Sequence, residues 1–443
     1  MVALGFGEAS IPVHPDLVER LRRHAADGGY GPVAGVPELL DAAAGYWSRR
    51  GVVTEAGQVV SGPGSKPLLF AIFEALGGPV LLPRPSWVSY AAQNRILGQT
   101  TRSVPVRRDQ GGVPDPAALA EAAARLRAEG TPATSVLVTI PDNPTGTTAS
   151  PALVRELCRV AEEQDLTIIS DEIHLDLVHD DREVLTPAQV LPDRTITTTG
   201  LSKSLAVGGW RIGVARFPDR LTGVRERVTS VASELWSAPA HPVQLAAAWA
   251  FGEPRQLLDH VQASRLLHGR VARAVATVLR EGGAEVPEPS GGFYLYPDLA
   301  PVAHQLAARD ITTGSDLARA LLETHGVATL PGVAFGDPDE RLALRIAIPM
   351  LYGTTDEDRL EALASDDPPT LPWIAESLAS LRRSPTCADP PPGRTRPGPA
   401  GPGPAGPGPA SPGPARPAPP PRRDVPGPGP AAPSRRRPRA PCR

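Results

Sequence analysis

Five short apolar runs, residues 80–82, 135–140, 166–170, 195–199 and 212–215, alternate with helical patterns, and this alternation constrains the fold most. The helical patterns, residues 67–76, 116–127 and 151–164, carry Pro at or near the first turn, where its missing N–H does no harm. Apolar runs joined by helices predict an α/β fold whose mostly parallel sheet is covered on both faces. A longer amphipathic stretch, 254–280, then places Leu257, Val261, Leu267, Val271, Ala274 and Val278 at helical spacing. Beyond it the pattern becomes α+β, with GGFYLY (291–296) and LALRIAI (342–348) as strands, and reads as a smaller domain.

The 443 residues leave room for a larger and a smaller domain and a tail. Residues 1–29 are expected to join the small domain, 30–253 to form the large one, and 254–384 to supply the connecting helix and the rest of the small one. From residue 385 the chain turns to repeats such as GPGPAGPGPA with almost nothing large and apolar to bury, so 385–443 is expected to be disordered and partly polyproline II. The formal charge of −3 divides into +8 over this tail and −11 before it, and an acidic body argues against a nucleic-acid surface.

Cys158, Cys387 and Cys442 form neither a CxxC pair nor a metal-ligand spacing, so no metal site is expected and a reducing, cytoplasmic location is the simplest. The opening MVALGFGEASIP lacks a basic stretch before an apolar one, so no signal peptide is expected. Without an apolar run of about 18 residues, no membrane partner is expected either.

In open α/β sheets ligands bind beyond the carboxyl ends of the strands, and four marks fall there. SGPGSKP (61–67) precedes a helix, and its small residues would let the backbone N–H groups of Ser65 and Lys66 approach an anion. DNPTG (142–146) follows one strand; Asp171, in IISDEIH, follows another. The fourth is GLSKSLAVGGWRIG (200–213), with Lys203 and Arg211. Lysine occurs only at positions 66 and 203, although Lys and Arg together number 45. A chain so biased toward arginine could have lost both, which raises the question of what chemistry at these positions a guanidinium could not supply.

These motifs, taken in order with PRPSWVSY (83–90) and LPGVAFG through LALRIA (330–347), resemble the class I and II aminotransferases, pyridoxal-phosphate enzymes of fold type I. The resemblance runs from about residue 7 to residue 381. It implies that Lys203 forms a Schiff base with pyridoxal 5′-phosphate, that Asp171 pairs with the pyridine nitrogen, and that Asn143 bonds the phenolic oxygen. His174 stands where many relatives carry tyrosine near that oxygen, and Trp87 where an aromatic ring stacks on the pyridine. Ser65, Lys66 and Arg211 match phosphate contacts. Gly200 replaces a serine that often joins them, with Ser202 close by. Arg345 matches the arginine that grips the substrate α-carboxylate, beside Gly7, Trp87 and Asn143. Tyr30 matches a tyrosine that reaches the neighbouring subunit's phosphate, which implies a homodimer.

The implied activity is amino transfer between an L-amino acid and a 2-oxo acid by a ping-pong mechanism. A carbon–sulfur β-lyase is the alternative, because DEIH followed by DLV resembles that branch and uses the same lysine. A non-catalytic regulator of the same fold is a third reading. Such regulators carry a DNA-binding domain before the fold, for which six residues before Gly7 leave no room, and the joint presence of Lys203, Asp171 and Arg345 favours catalysis.

Overall fold

The computed structural model describes residues 2–180 and 182–383, and the expectations for the tail, 385–443, lie outside them. After a short first strand, β1 (Val2–Ala3), eight strands build one sheet. They are β2 (Val59–Gly62), β3 (Val80–Arg84), β4 (Thr101–Arg107), β5 (Gln110–Pro114), β6 (Ser135–Thr139), β7 (Thr167–Asp171), β8 (Thr195–Gly200) and β9 (Gly213–Arg216). Their order is β2-β9-β8-β7-β6-β3-β4-β5.

The run β4-β3-β6-β7-β8 is parallel, whereas β2, β9 and β5 pair antiparallel at the two edges. The sheet is therefore mixed, parallel at its centre and antiparallel at its rims. An apolar-run criterion misses β4 because TRSVPVR is largely exposed and carries Pro105, both marks of a peripheral strand. It misses β5 because Gly111 and Gly112 interrupt any apolar pattern.

Burial of both faces explains the central strands. Val136 and Val138 of β6 enter one core and Leu137 the opposite one; Ile168 and Ile169 of β7 divide in the same way. Side chains alternate across a strand, so each residue serves one layer, and each fully buried Val or Leu contributes roughly 1.5–3 kcal/mol. Helices Pro116–Ala128 and Pro151–Glu163 cover the first face, and Ser65–Leu76 covers the other.

Another core gathers around the helix Arg255–Glu281, where Leu267, Val271 and Val275 meet Phe293, Leu344 and Ile346. The strands there are β10 (Tyr294–Leu295), β11 (Val327–Ala328), β12 (Leu330–Pro331) and β13 (Leu344–Ala347). β13 lies between β10 and β12 and is antiparallel to both. GGFYLY pairs as a strand over only two residues, because its glycines turn away and Gly291 N donates to Gly146 O at 3.1 Å. The N-terminal stretch is stitched into this core: Leu4 N donates to Ala328 O and Leu4 O accepts from Ala347 N. Gly7 is thereby carried to the ends of the large-sheet strands.

Candidate active site

Eight of the residues marked in the sequence line one cavity of about 260 Å³: Gly7, Ser65, Trp87, Asn143, Asp171, His174, Lys203 and Arg345. Tyr90, Thr139, Ile173 and Tyr294 complete it. A larger cavity of about 610 Å³ lies against the same two segments, reaching Glu172, Asp176, Leu201 and Ser204 but not Asp171 or Lys203. Its Arg50 is already paired with Asp176 and Glu253, and none of the site residues marked in the sequence lines it.

Asp171 is the last residue of β7, 2% exposed. Burial raises its pKa, and three donors oppose that rise. Tyr90 Oη donates to Oδ2 at 2.8 Å, Thr198 Oγ1 to Oδ1 at 3.2 Å and Ile173 N to Oδ1 at 3.4 Å. Every one of these groups donates, which suits an anion facing a cation inside the cavity. Tyr90 lies three residues after Trp87, and their rings meet edge to face at 5.2 Å. Tyr90 closes the PRPSWVSY motif, and its one-turn spacing from Trp87 is the signal in the sequence that points to it.

At another side the helix Ser65–Leu76 begins without a side-chain cap, and its N-cap residue, Gly64, has φ 94°. The first backbone N–H groups of the helix are therefore available to an anion. Strand β9 presses on this turn: a Cβ on Gly213 would stand 2.6 Å from Gly64 C and Ser65 N, so only glycine fits. Arg211 brings its guanidinium to the same turn, donating to Pro63 O at 3.1 Å and Gly208 O at 2.8 Å. Its own backbone is left-handed, φ 54°, as is that of Ala206 in the same loop. Two non-glycine residues held there mark a loop whose surroundings override local preference.

Lys203 hangs from the loop between β8 and β9, and its Nζ donates to Gly7 O at 2.5 Å. Burial, and next the charge of Arg345, lower its pKa to about 8. Arg345, on β13, is 5% exposed and forms no ion pair among the described residues. Nη2 donates to Gly5 O at 2.5 Å, Nε has no partner, and the guanidinium lies 5.0 Å from the Tyr294 ring centroid and 5.1 Å from that of Phe335. A buried cation without an anion is costly, so this position suits a ligand that brings a carboxylate.

His174 is 2% exposed, and burial, then Lys203, hold its pKa well below the usual histidine value; its Nδ1 has no partner. Asn143 Oδ1 is likewise buried and unpartnered.

Four marked residues are not among those lining the cavity. The Lys66 side chain is exposed, with Nζ 4.9 Å from the Trp87 ring centroid, while its backbone joins the helix start. Arg211 stands behind the glycine turn, and Ser202 flanks Lys203 beside Gly208. Tyr30 is 96% exposed, far from a core role.

Comparison with known proteins places the chain in a family. Residues 1–364 match the family described as aminotransferase class I and II. The aspartate/prephenate aminotransferase of Cereibacter sphaeroides is 34% identical over 380 residues, covering 82% of this chain and 90% of that protein. The enzyme of the same description from Thermus thermophilus is 32% identical, covering 82% and 89%. Among solved structures, aspartate aminotransferase from Thermus thermophilus with maleate superposes with a TM-score of 0.71 at 30% identity, covering 82% of this chain and 90% of that one. The chain belongs to the class I and II aminotransferase family and is an aminotransferase.

Proposed function

We propose that this aminotransferase uses pyridoxal 5′-phosphate, held at the cavity described above, to exchange the amino group of an L-amino acid with a 2-oxo acid. The observation that carries the reading is the convergence of Lys203, Asp171 and Arg345 on one small cavity. The residues present fit the cofactor. The uncapped helix start with Arg211 suits its phosphate, the donor-ringed Asp171 suits a protonated pyridine nitrogen, and Asn143 and His174 carry buried polar atoms in need of partners. Trp87, Ser65, Lys66 and Ser202 would complete its surroundings. When bound, the cofactor supplies an acceptor for the amino group and an electron sink for Cα.

The chain's own residues do the rest. Arg345 binds the α-carboxylate, a group shared by amino acid and oxo acid, so one site serves both half-reactions in turn. Lys203 Nζ takes the proton from Cα of the donor and returns one to Cα of the new amino acid. A pKa of about 8 lets the neutral amine exist near physiological pH. Tyr294 and Trp87 form part of the wall against which the substrate would lie.

Tyr30, exposed on a loop with no described role in its own chain, supports a homodimer in which it reaches the other subunit's site. Phe6, 65% exposed beside Gly7, supports the same assembly. Division into a large and a small domain at about residues 30 and 254 is part of this reading, as is a cytoplasmic location. No helix among the described residues is long and apolar enough to cross a membrane.

The test is a half-reaction. Stoichiometric holoenzyme mixed with an amino acid that lacks a β-leaving group should lose the yellow absorbance of the cofactor, release a 2-oxo acid, and regain the absorbance on addition of another 2-oxo acid. Because relatives are named for aspartate and prephenate, L-aspartate is the first donor of the panel. Pyruvate and ammonia from cystathionine, with no half-reaction from any donor, would refute the proposal in favour of a lyase.

Tyr90→Phe keeps the ring and removes one charge-assisted bond to Asp171. Such a bond contributes about 1.5–3 kcal/mol, so cofactor affinity should fall roughly tenfold or more. Equilibrium titration of the apoenzyme, followed by absorbance, checks this.

A further inference from the structure

His268 sits midway along the helix Arg255–Glu281, 0% exposed, and has no part in the chemistry above. A buried imidazole is expensive to desolvate, and this one is only half satisfied. Nδ1 shares a hydrogen bond of 2.6 Å with Tyr352 Oη, while Nε2 has no partner. Leu267, Val271 and Val275 fill neighbouring positions on the same helix without that penalty. The imidazole is therefore a poor choice for filling space alone.

Its neighbours suggest another use. The His268 ring lies against Phe293, centroids 5.2 Å apart, and Phe293 meets Tyr294 at 4.7 Å and His174 at 5.5 Å. Tyr294 carries the contact onward, for its ring centroid is 5.0 Å from the Arg345 guanidinium. On its other side Tyr294 has no slack: a Cβ on Gly7 would stand 2.6 Å from its Oη. Flat rings thus run without a gap from Tyr352, deep in the core, to the cation that faces the substrate. In a close-packed interior, a change at one end of such a row is felt at the other.

We propose that His268 is a positioning residue for substrate binding: anchored by Tyr352, its ring fixes Phe293, which holds the Tyr294 wall against which Arg345 presents its guanidinium. The inference rests on Arg345 gripping the substrate carboxylate as proposed above. Arg345 grips the carboxylate in the ground state and the transition state alike, so a loosened wall should appear chiefly as weaker binding.

The experiment is the single-turnover half-reaction of holoenzyme with the best donor of the panel. Its concentration dependence separates an apparent Kd from a limiting rate. Conversion of the wild-type enzyme tests the functional reading; the ratio of variant to wild type tests the positioning. His268→Ala should raise the apparent Kd roughly tenfold and leave the limiting rate within about threefold. Tyr352→Phe, which frees the imidazole without changing volume, should raise it roughly threefold, whereas His268→Phe, which keeps a ring against Phe293, should stay closer to wild type than His268→Ala. The melting midpoint and the absorbance of bound cofactor establish that each variant is folded and loaded. Should His268→Ala not fold, Tyr352→Phe, which removes only a hydroxyl, still decides the matter by whether its apparent Kd rises. A wild-type apparent Kd in both Tyr352→Phe and every folded His268 variant overturns the proposal. So does a fall in limiting rate with Kd unchanged.

Discussion

Lys203→Ala should lower kcat/KM by at least roughly 10⁴-fold, the upper end of what one positioned acid–base group supplies. The loss follows from what else is at the site. Among the described residues that line the cavity, Lys203 alone carries an amine, and the imidazole of His174 is kept neutral by burial and already faces two cations. Lys203→Arg should not restore activity, because a guanidinium neither forms a Schiff base nor gives up its proton near neutral pH. Borohydride treatment of the wild-type holoenzyme should fix the cofactor to the peptide containing residue 203. Fixation at Lys66 would refute the assignment. The pH dependence has a definite sign. With a pKa lowered to about 8, the free amine of the apoenzyme gains its neutral form as pH rises through 8, well below an ordinary lysine. Acylation of Lys203 in the apoenzyme should therefore rise through that pH.

Arg345→Ala should weaken the amino-acid half-reaction by about 2–5 kcal/mol, the range for deleting one partner of a buried, hydrogen-bonded charge pair. The loss should appear with every amino donor, since the α-carboxylate is common to all of them. Stability should respond differently. Arg345 has no counter-ion among the described residues, so its removal relieves an unpaired buried charge even as it leaves a void. Thermal unfolding of the variant should fall far less than its activity. A further consequence can be measured at Lys203. Arg345 is the second largest influence lowering that pKa, after burial, so in Arg345→Ala the value should move up and acylation of Lys203 should shift to higher pH. If donor binding is unchanged in a folded Arg345→Ala variant, the carboxylate is held elsewhere.

Much of this site was legible in the amino-acid order because its parts are local. A glycine turn before a helix, a carboxylate at a strand end and a lysine just past a buried strand each need only a few consecutive residues. Gly64 and Ser65, Asp171 and Lys203 lie where those stretches placed them. The apolar runs became β3, β6, β7, β8 and β9, since strands buried on both faces leave a continuous apolar signature. Peripheral strands leave no such mark. β4 and β5 are polar or glycine-rich, and their pairing is decided by the strands beside them. Antiparallel β9 likewise could not be told from a parallel strand by its residues alone.

The chemistry of each side chain, and the family to which the chain belongs, were determined by the sequence by itself. Residue type sets what a group can do, and short motifs set the backbone that carries it. Distances between remote residues were decided only by the tertiary structure. Gly7 lies 196 positions from Lys203, yet its carbonyl receives the amine, because β1 and the following residues are drawn into the core around β11 and β13. That Tyr90 joins Thr198 and Ile173 in steadying Asp171, that Arg345 has no counter-ion among the described residues, and that Tyr30 stands exposed are facts of the same kind. They depend on how separately formed elements pack, which hydrophobic burial and excluded volume settle over the whole chain and no local run of residues encodes.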